Sequence, residues 1–67
     1  MECKKLDPAE KSRTYIWPNG FRDTLENVVA FCARPSGTHR LETADGKKHV
    51  VATGWCRVEI DVEAWTL

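Results

Sequence analysis

The sequence predicts an all-β protein, a small antiparallel meander of five to six short strands that forms a curled sheet or a small barrel. Three observations predict it. Runs rich in aromatic and β-branched residues are separated by tight-turn signals at Pro18-Asn19-Gly20, Pro35-Ser36-Gly37, Asp45-Gly46 and Thr53-Gly54. Near the C-terminus, Cys56, Val58, Ile60 and Val62 alternate strictly with Trp55, Arg57, Glu59 and Asp61, as in a strand with one buried and one charged face. Residues 24–34 also offer a helical reading, and a helix there would make the fold α+β.

The elements follow in order. Residues 1–12 are polar and read as a flexible N-terminal arm, with residues 13–67 as the single small β domain. Asp7-Pro8-Ala9-Glu10 has the chemistry of a helix start, but no apolar face follows, so at most one turn is expected. Arg13–Trp17 and Phe21–Leu25 flank Pro18-Asn19-Gly20, which suits a three-residue hairpin loop with glycine in the left-handed position. That loop pairs Trp17 with Phe21, Tyr15 with Asp23 and Arg13 with Leu25, and puts Trp17, Phe21, Tyr15 and Leu25 on one face.

Asp23 to Pro35 is read two ways. Asp23-x-x-Glu26 resembles a capping box, and Leu25, Val28, Val29 and Cys32 follow helical spacing. The adjacent valines, Phe31 and Cys32 are middling helix formers, and a strand from Val28 to Arg34 is preferred, with Glu26-Asn27 turning the chain before it. Pro35-Ser36-Gly37 repeats the first loop, pairing Phe31 with Leu41 and Ala33 with His39. Asp45-Gly46 admits two registers. A two-residue turn pairs Leu41 with Val50 and Glu42 with His49; a three-residue loop pairs Leu41 with His49 and Glu42 with Lys48. The first is preferred because it joins Phe31, Leu41 and Val50 in one cluster, and it places His39 and His49 on opposite faces. Trp65 is expected to fold back over the open edge of the core.

Size and charge bound the function. A chain of 67 residues buries only ~60% of its unfolded surface, so a homodimer would be an unsurprising source of stability. Ten basic and ten acidic residues cancel, so the overall basic excess typical of nucleic-acid binders is missing. The three cysteines, Cys3, Cys32 and Cys56, form no C-x-x-C pair, which signals neither a disulfide framework nor a zinc ribbon. No apolar run suggests a signal peptide or a membrane span, and a reducing cytoplasm is the expectation.

The chemistry points away from catalysis. Cys32, His39, His49 and Cys56 are spaced C-x6-H-x9-H-x6-C, unlike the short ligand pairs of compact zinc sites, so no metal is expected. Nucleophilic catalysis needs a thiol or hydroxyl beside an oriented base, whereas Cys32 and Cys56 sit in apolar runs. No glycine-rich phosphate loop or other cofactor signature is present. What remains is a binding surface. Arg34, Arg40, Lys47 and Lys48 gather around the second and third turns, and Trp17, Asn19 and Phe21 around the first; arginine and aromatic residues on rigid hairpins are common interface anchors. Glu59, Asp61 and Glu63 suggest a one-sided acidic face on the last strand. The expectation is a small non-catalytic binding or regulatory protein that engages a protein partner through hairpin tips or a sheet edge. Its rival is a small-barrel module for RNA or single-stranded DNA, and a small metal- or thiol-dependent enzyme comes last. No family motif is present; in general build the chain resembles small accessory proteins of bacteria and phages.

Overall fold

The structure, a computed structural model, describes residues 4–64. It is all-β, with five strands: β1 (Lys4–Ile16), β2 (Arg22–Ala33), β3 (His39–Thr43), β4 (Lys48–Val51) and β5 (Arg57–Asp61). All pair antiparallel in one sheet of order β4-β3-β2-β1-β5. The first four strands form a meander, and β5 returns to pair with β1. No Cα of β4 lies within 8 Å of a Cα of β5, so the sheet is curled but not closed into a barrel. Cys3 and Trp65 lie outside the described residues.

Two strands are long and must bend. Fully extended, the 13 residues of β1 would span ~43 Å at about 3.3 Å per residue. The longest dimension of the molecule is only 31 Å. In β2 the bend lies at Asn27, whose φ of 55° is left-handed, a conformation that asparagine tolerates better than most residues. Its carbonyl accepts the N–H of Ala44 at 2.9 Å, bracing the bend against the β3–β4 turn. The ladders slip at the same level. Lys5 pairs with Ala30 and Glu10 with Val28, so Leu6 to Ala9 bulge out opposite Val29. Pro8, with no N–H to give a ladder, sits inside that bulge.

Two expectations are corrected here. The segment is strand and not helix, as preferred, but the strand runs over Arg22–Ala33 and not Val28 to Arg34, and Glu26-Asn27 is a bend within one continuous β2 rather than a turn before a new strand. Residues 4–12, read as part of a flexible arm over 1–12 with at most one helical turn, belong to β1. One helical turn carries a nucleation cost that no apolar face here offsets. A twelve-residue β2 offers those residues a ladder instead.

The bend folds the inner face onto itself. Tyr15, Val28, Leu41 and Val51 are buried, with Leu6, Trp17, Leu25, Phe31, Trp55 and Val58 packed around them. All three hairpins of the meander use one loop design. The N–H of Trp17 bonds the Phe21 carbonyl, that of Arg34 bonds Thr38, and that of Thr43 bonds Lys47. Gly20, Gly37 and Gly46 occupy the same left-handed position, with φ of 89°, 91° and 87°. The first two registers are as expected. The third is corrected: Leu41 pairs with His49 and Glu42 with Lys48, through the three-residue loop Ala44-Asp45-Gly46. The Asp45 carboxylate accepts the Thr43 hydroxyl and the Lys47 N–H, which favours that loop. Val51 rather than Val50 therefore reaches the core; Val50 turns outward and is 63% exposed. His39 and His49 consequently share the inner face.

Candidate interaction surface

The inner face is held by a polar tie between the two halves of the sheet. Arg13 on β1 donates to Glu10 through two bonds, 2.8 Å and 2.7 Å, with both side chains 8% exposed. Its guanidinium lies 4.3 Å from the ring centroid of Phe31, beyond the bend in β2. His39 packs edge-on to Phe31 at 4.9 Å and near Trp55 at 5.0 Å, and its Nδ1 lies 2.7 Å from the Tyr15 hydroxyl. Burial, and then the Arg13 charge, hold the His39 imidazole below its ordinary range. Burial likewise pushes the Tyr15 phenol up. Both groups are thus kept neutral, and the hydroxyl–imidazole bond spans β1 and β3.

The four residues with metal-ligand chemistry are separated. Cys32 pairs with Arg40 and so lies on the face opposite His39. His49 sits with its Nε2 3.2 Å from the Thr43 hydroxyl, and Cys56 directs its thiol to the Ile16 carbonyl at 3.3 Å. Among the described residues no group of three or more His, Cys, Asp and Glu side chains is placed to hold a metal ion.

The residues expected to bind fall into two groups. Trp17, Asn19, Phe21 and Arg34 come to one end, because both turns contact the segment between β4 and β5. A Cβ at Gly54 would sit 3.4 Å from the Trp17 ring, and one at Gly37 would sit 3.0 Å from the Thr53 methyl. Asn19 is occupied in its own turn, where its side-chain oxygen accepts the Phe21 N–H at 3.0 Å. Phe21 is 60% exposed. Arg40 and Lys48 lie instead on the outer face of β3 and β4, where with Val50, Ala30 and Glu42, the cross-strand partner of Lys48, they line a groove of 290 Å3. Lys47 stands at the rim of a separate depression, beside Asp45 and His49.

Charge divides the surface along the same line. Among the described residues the ion pairs are Arg13 with Glu10, Arg22 with Glu59 and Arg57 with Glu59. Arg34, Arg40, Lys47 and Lys48 enter none of them. The acidic face expected on the last strand is corrected: Arg57 and Arg22 both bind Glu59, and Arg57 above all holds its carboxyl below the usual range. The outer face of β5 is a balanced one.

Both sheet edges expose backbone. Thr43 bonds Lys47, so by antiparallel alternation His49 and Val51 bond β3, and the N–H and C=O groups of Lys48 and Val50 point outward. Trp17 bonds Phe21, so Ser12, Thr14 and Ile16 turn to β5 and bond Asp61, Glu59 and Arg57; the groups of Val58 and Ile60 point outward. The significance of Val50 was hidden in the sequence by the register at Asp45-Gly46. The signal was there: each meander loop has its glycine two residues after the loop begins.

No protein-family model matches the chain, and neither curated proteins nor solved structures contain a significant match to it.

Proposed function

We propose that this protein is a non-catalytic binding module that takes an extended segment of a partner protein as an added strand along the outer edge of β4. The observation that supports this most directly is Val50, a β-branched apolar residue 63% exposed on an edge strand whose outward backbone groups have no strand partner among the described residues. Strand addition draws affinity from main-chain bonds and specificity from alternate side chains. Here the alternate side chains are Lys48 and Val50, with Arg40 directly across from Val50. The segment they suit is short, with an apolar residue over Val50 and carboxylates against Arg40 and Lys48.

The test is capture of partners on immobilised protein, followed by binding of peptides from any captured chain. Val50→Pro removes an outward N–H without costing a β3–β4 bond, and Arg40→Glu reverses the charge beside it. Both abolish capture, whereas Phe21→Ala leaves it intact. A partner retained by Val50→Pro and Arg40→Glu but lost by Phe21→Ala moves the function to the hairpin end and ends this reading.

Arg34, Arg40, Lys47 and Lys48, which enter no ion pair among the described residues, support a second reading, in which the same half of the sheet binds single-stranded nucleic acid. Its mark is salt-dependent oligonucleotide binding that weakens with Arg34→Ala and Arg40→Ala alike.

A further inference from the structure

We infer that the opposite edge, β5, is the docking surface for a second copy of this chain, the two β5 strands pairing antiparallel about a two-fold axis at Glu59. The inference rests on the order of residues along the edge and on which backbone groups face outward. On β5 the N–H and C=O groups of Val58 and Ile60 face outward with no strand partner among the described residues, so only registers that bring these residues opposite one another form bonds. A slip of one residue turns the groups away.

Of the registers that remain, the one centred on Glu59 overlaps the whole strand. It places Val58 opposite Ile60 of the second copy and Arg57 opposite its Asp61, each twice by symmetry. Opposite charges meet on the outer face, and half-buried apolar residues meet on the inner one. The register centred on Ile60 would instead set Glu59 against Asp61. The register centred on Val58 would leave Asp61 without its arginine. The axis does bring the two Glu59 side chains together. Each already accepts bonds from Arg22 and Arg57 of its own chain, which removes most of the repulsion.

Natural edge strands resist such pairing with lysine, proline or a bulge. β5, RVEID, has no lysine, proline or bulge, and its charges, Arg57, Glu59 and Asp61, are of mixed sign, so in this register they attract an antiparallel copy instead of repelling it. Among the described residues no strand covers the outer side of β5, and no Cα of β4 lies within 8 Å of it. The dimer runs one continuous sheet through both copies and leaves the β4 edges at its two ends. An interface of five residues a side is small, so the dimer is weak and concentration-dependent.

Sedimentation velocity of the full chain over a dilution series tests this. The wild type shifts from monomer to dimer as concentration rises. Arg57→Asp and Asp61→Arg each stay monomeric with an unchanged β spectrum, because each creates like-charge pairs across the axis. Mixing these two variants restores a dimer, seen by native mass spectrometry as the heterodimer, since Asp then meets Arg at both positions. Arg40→Glu leaves dimerisation untouched, which separates this surface from the β4 edge. A wild type that stays monomeric, variants that dimerise as it does, or a mixture that forms no heterodimer would overturn the inference.

Discussion

The two halves of the curled sheet treat charge in opposite ways. On one side of the bend, β5, the later part of β1 and the early part of β2 hold the ion pairs found among the described residues: Arg13 with Glu10, and Arg22 and Arg57 with Glu59. On the other side, Arg34, Arg40, Lys47 and Lys48 stand outside any ion pair among the described residues. The edges differ accordingly. β5 is the edge proposed to pair with its own copy, and β4 the edge proposed to take an acidic, extended segment. A fold this small has few surfaces, and the bend at Asn27 lets one sheet present two edges with separate chemistry.

The largest effect is expected from cutting the tie between the halves. Glu10→Ala leaves the Arg13 cation buried under Phe31 with no counter-ion, and stranding one partner of a buried pair costs about 3–5 kcal/mol. Denaturant unfolding should show a single transition at a much lower midpoint. If the loss is below about 1 kcal/mol, the pair is solvated and the halves are joined by apolar packing alone.

The bend itself comes next. Asn27 is exposed, so its side chain adds little packing, and Asn27→Gly keeps the left-handed φ at small cost. Asn27→Val forces a β-branched residue into that region and should cost about 1–2 kcal/mol. Equal stability of the two variants would mean that β2 does not bend there in solution.

A pH series probes the same junction through His39. Its imidazole is held below the ordinary value of 6.5 by burial and by Arg13, with Tyr15 at its Nδ1. As pH falls through 6.5 the unfolded chain takes up the proton first. Stability is therefore full above that value, falls as pH drops toward the folded pKa, and levels off below it. His39→Phe should flatten the fall of the unfolding free energy that sets in as pH drops through 6.5. Further losses at lower pH belong to Asp45 and Glu59, whose carboxyls are also held low.

These junction residues were the least legible part of the sequence. The hairpins at Gly20 and Gly37 were readable because Pro-x-Gly specifies both the loop and the register. β5 was readable because its alternation is strict. The bend was not, since one asparagine in a left-handed conformation leaves no local mark distinct from a turn. Lys4 to Ser12 were hidden as strand because their pairing depends on the length of β2, and not on their own composition. On the candidate surface, Arg40 and Lys48 were legible as exposed cations, whereas Asn19 is used in closing its turn. Val50 was misplaced by a preference for an apolar Leu41 partner, and that partner proved to be His49.

The smallest effect, that of Val50→Ala, tests that register when set beside its neighbour. Val50 and Val51 are neighbours of identical chemistry, and the three-residue loop sends one outward and one inward. Val50→Ala should change stability by no more than about 0.5 kcal/mol, as for other exposed sites. Val51→Ala removes methyl groups from a site only 6% exposed, next to Tyr15 and Leu41, and should cost about 2 kcal/mol. A two-residue turn at Asp45-Gly46 would reverse the pair. Reversal would bury Val50, remove the exposed apolar residue from the β4 edge, and take with it the main support for strand addition there. The difference between two adjacent alanine variants thus decides whether the basic half of the sheet presents a docking edge or only a solvated one.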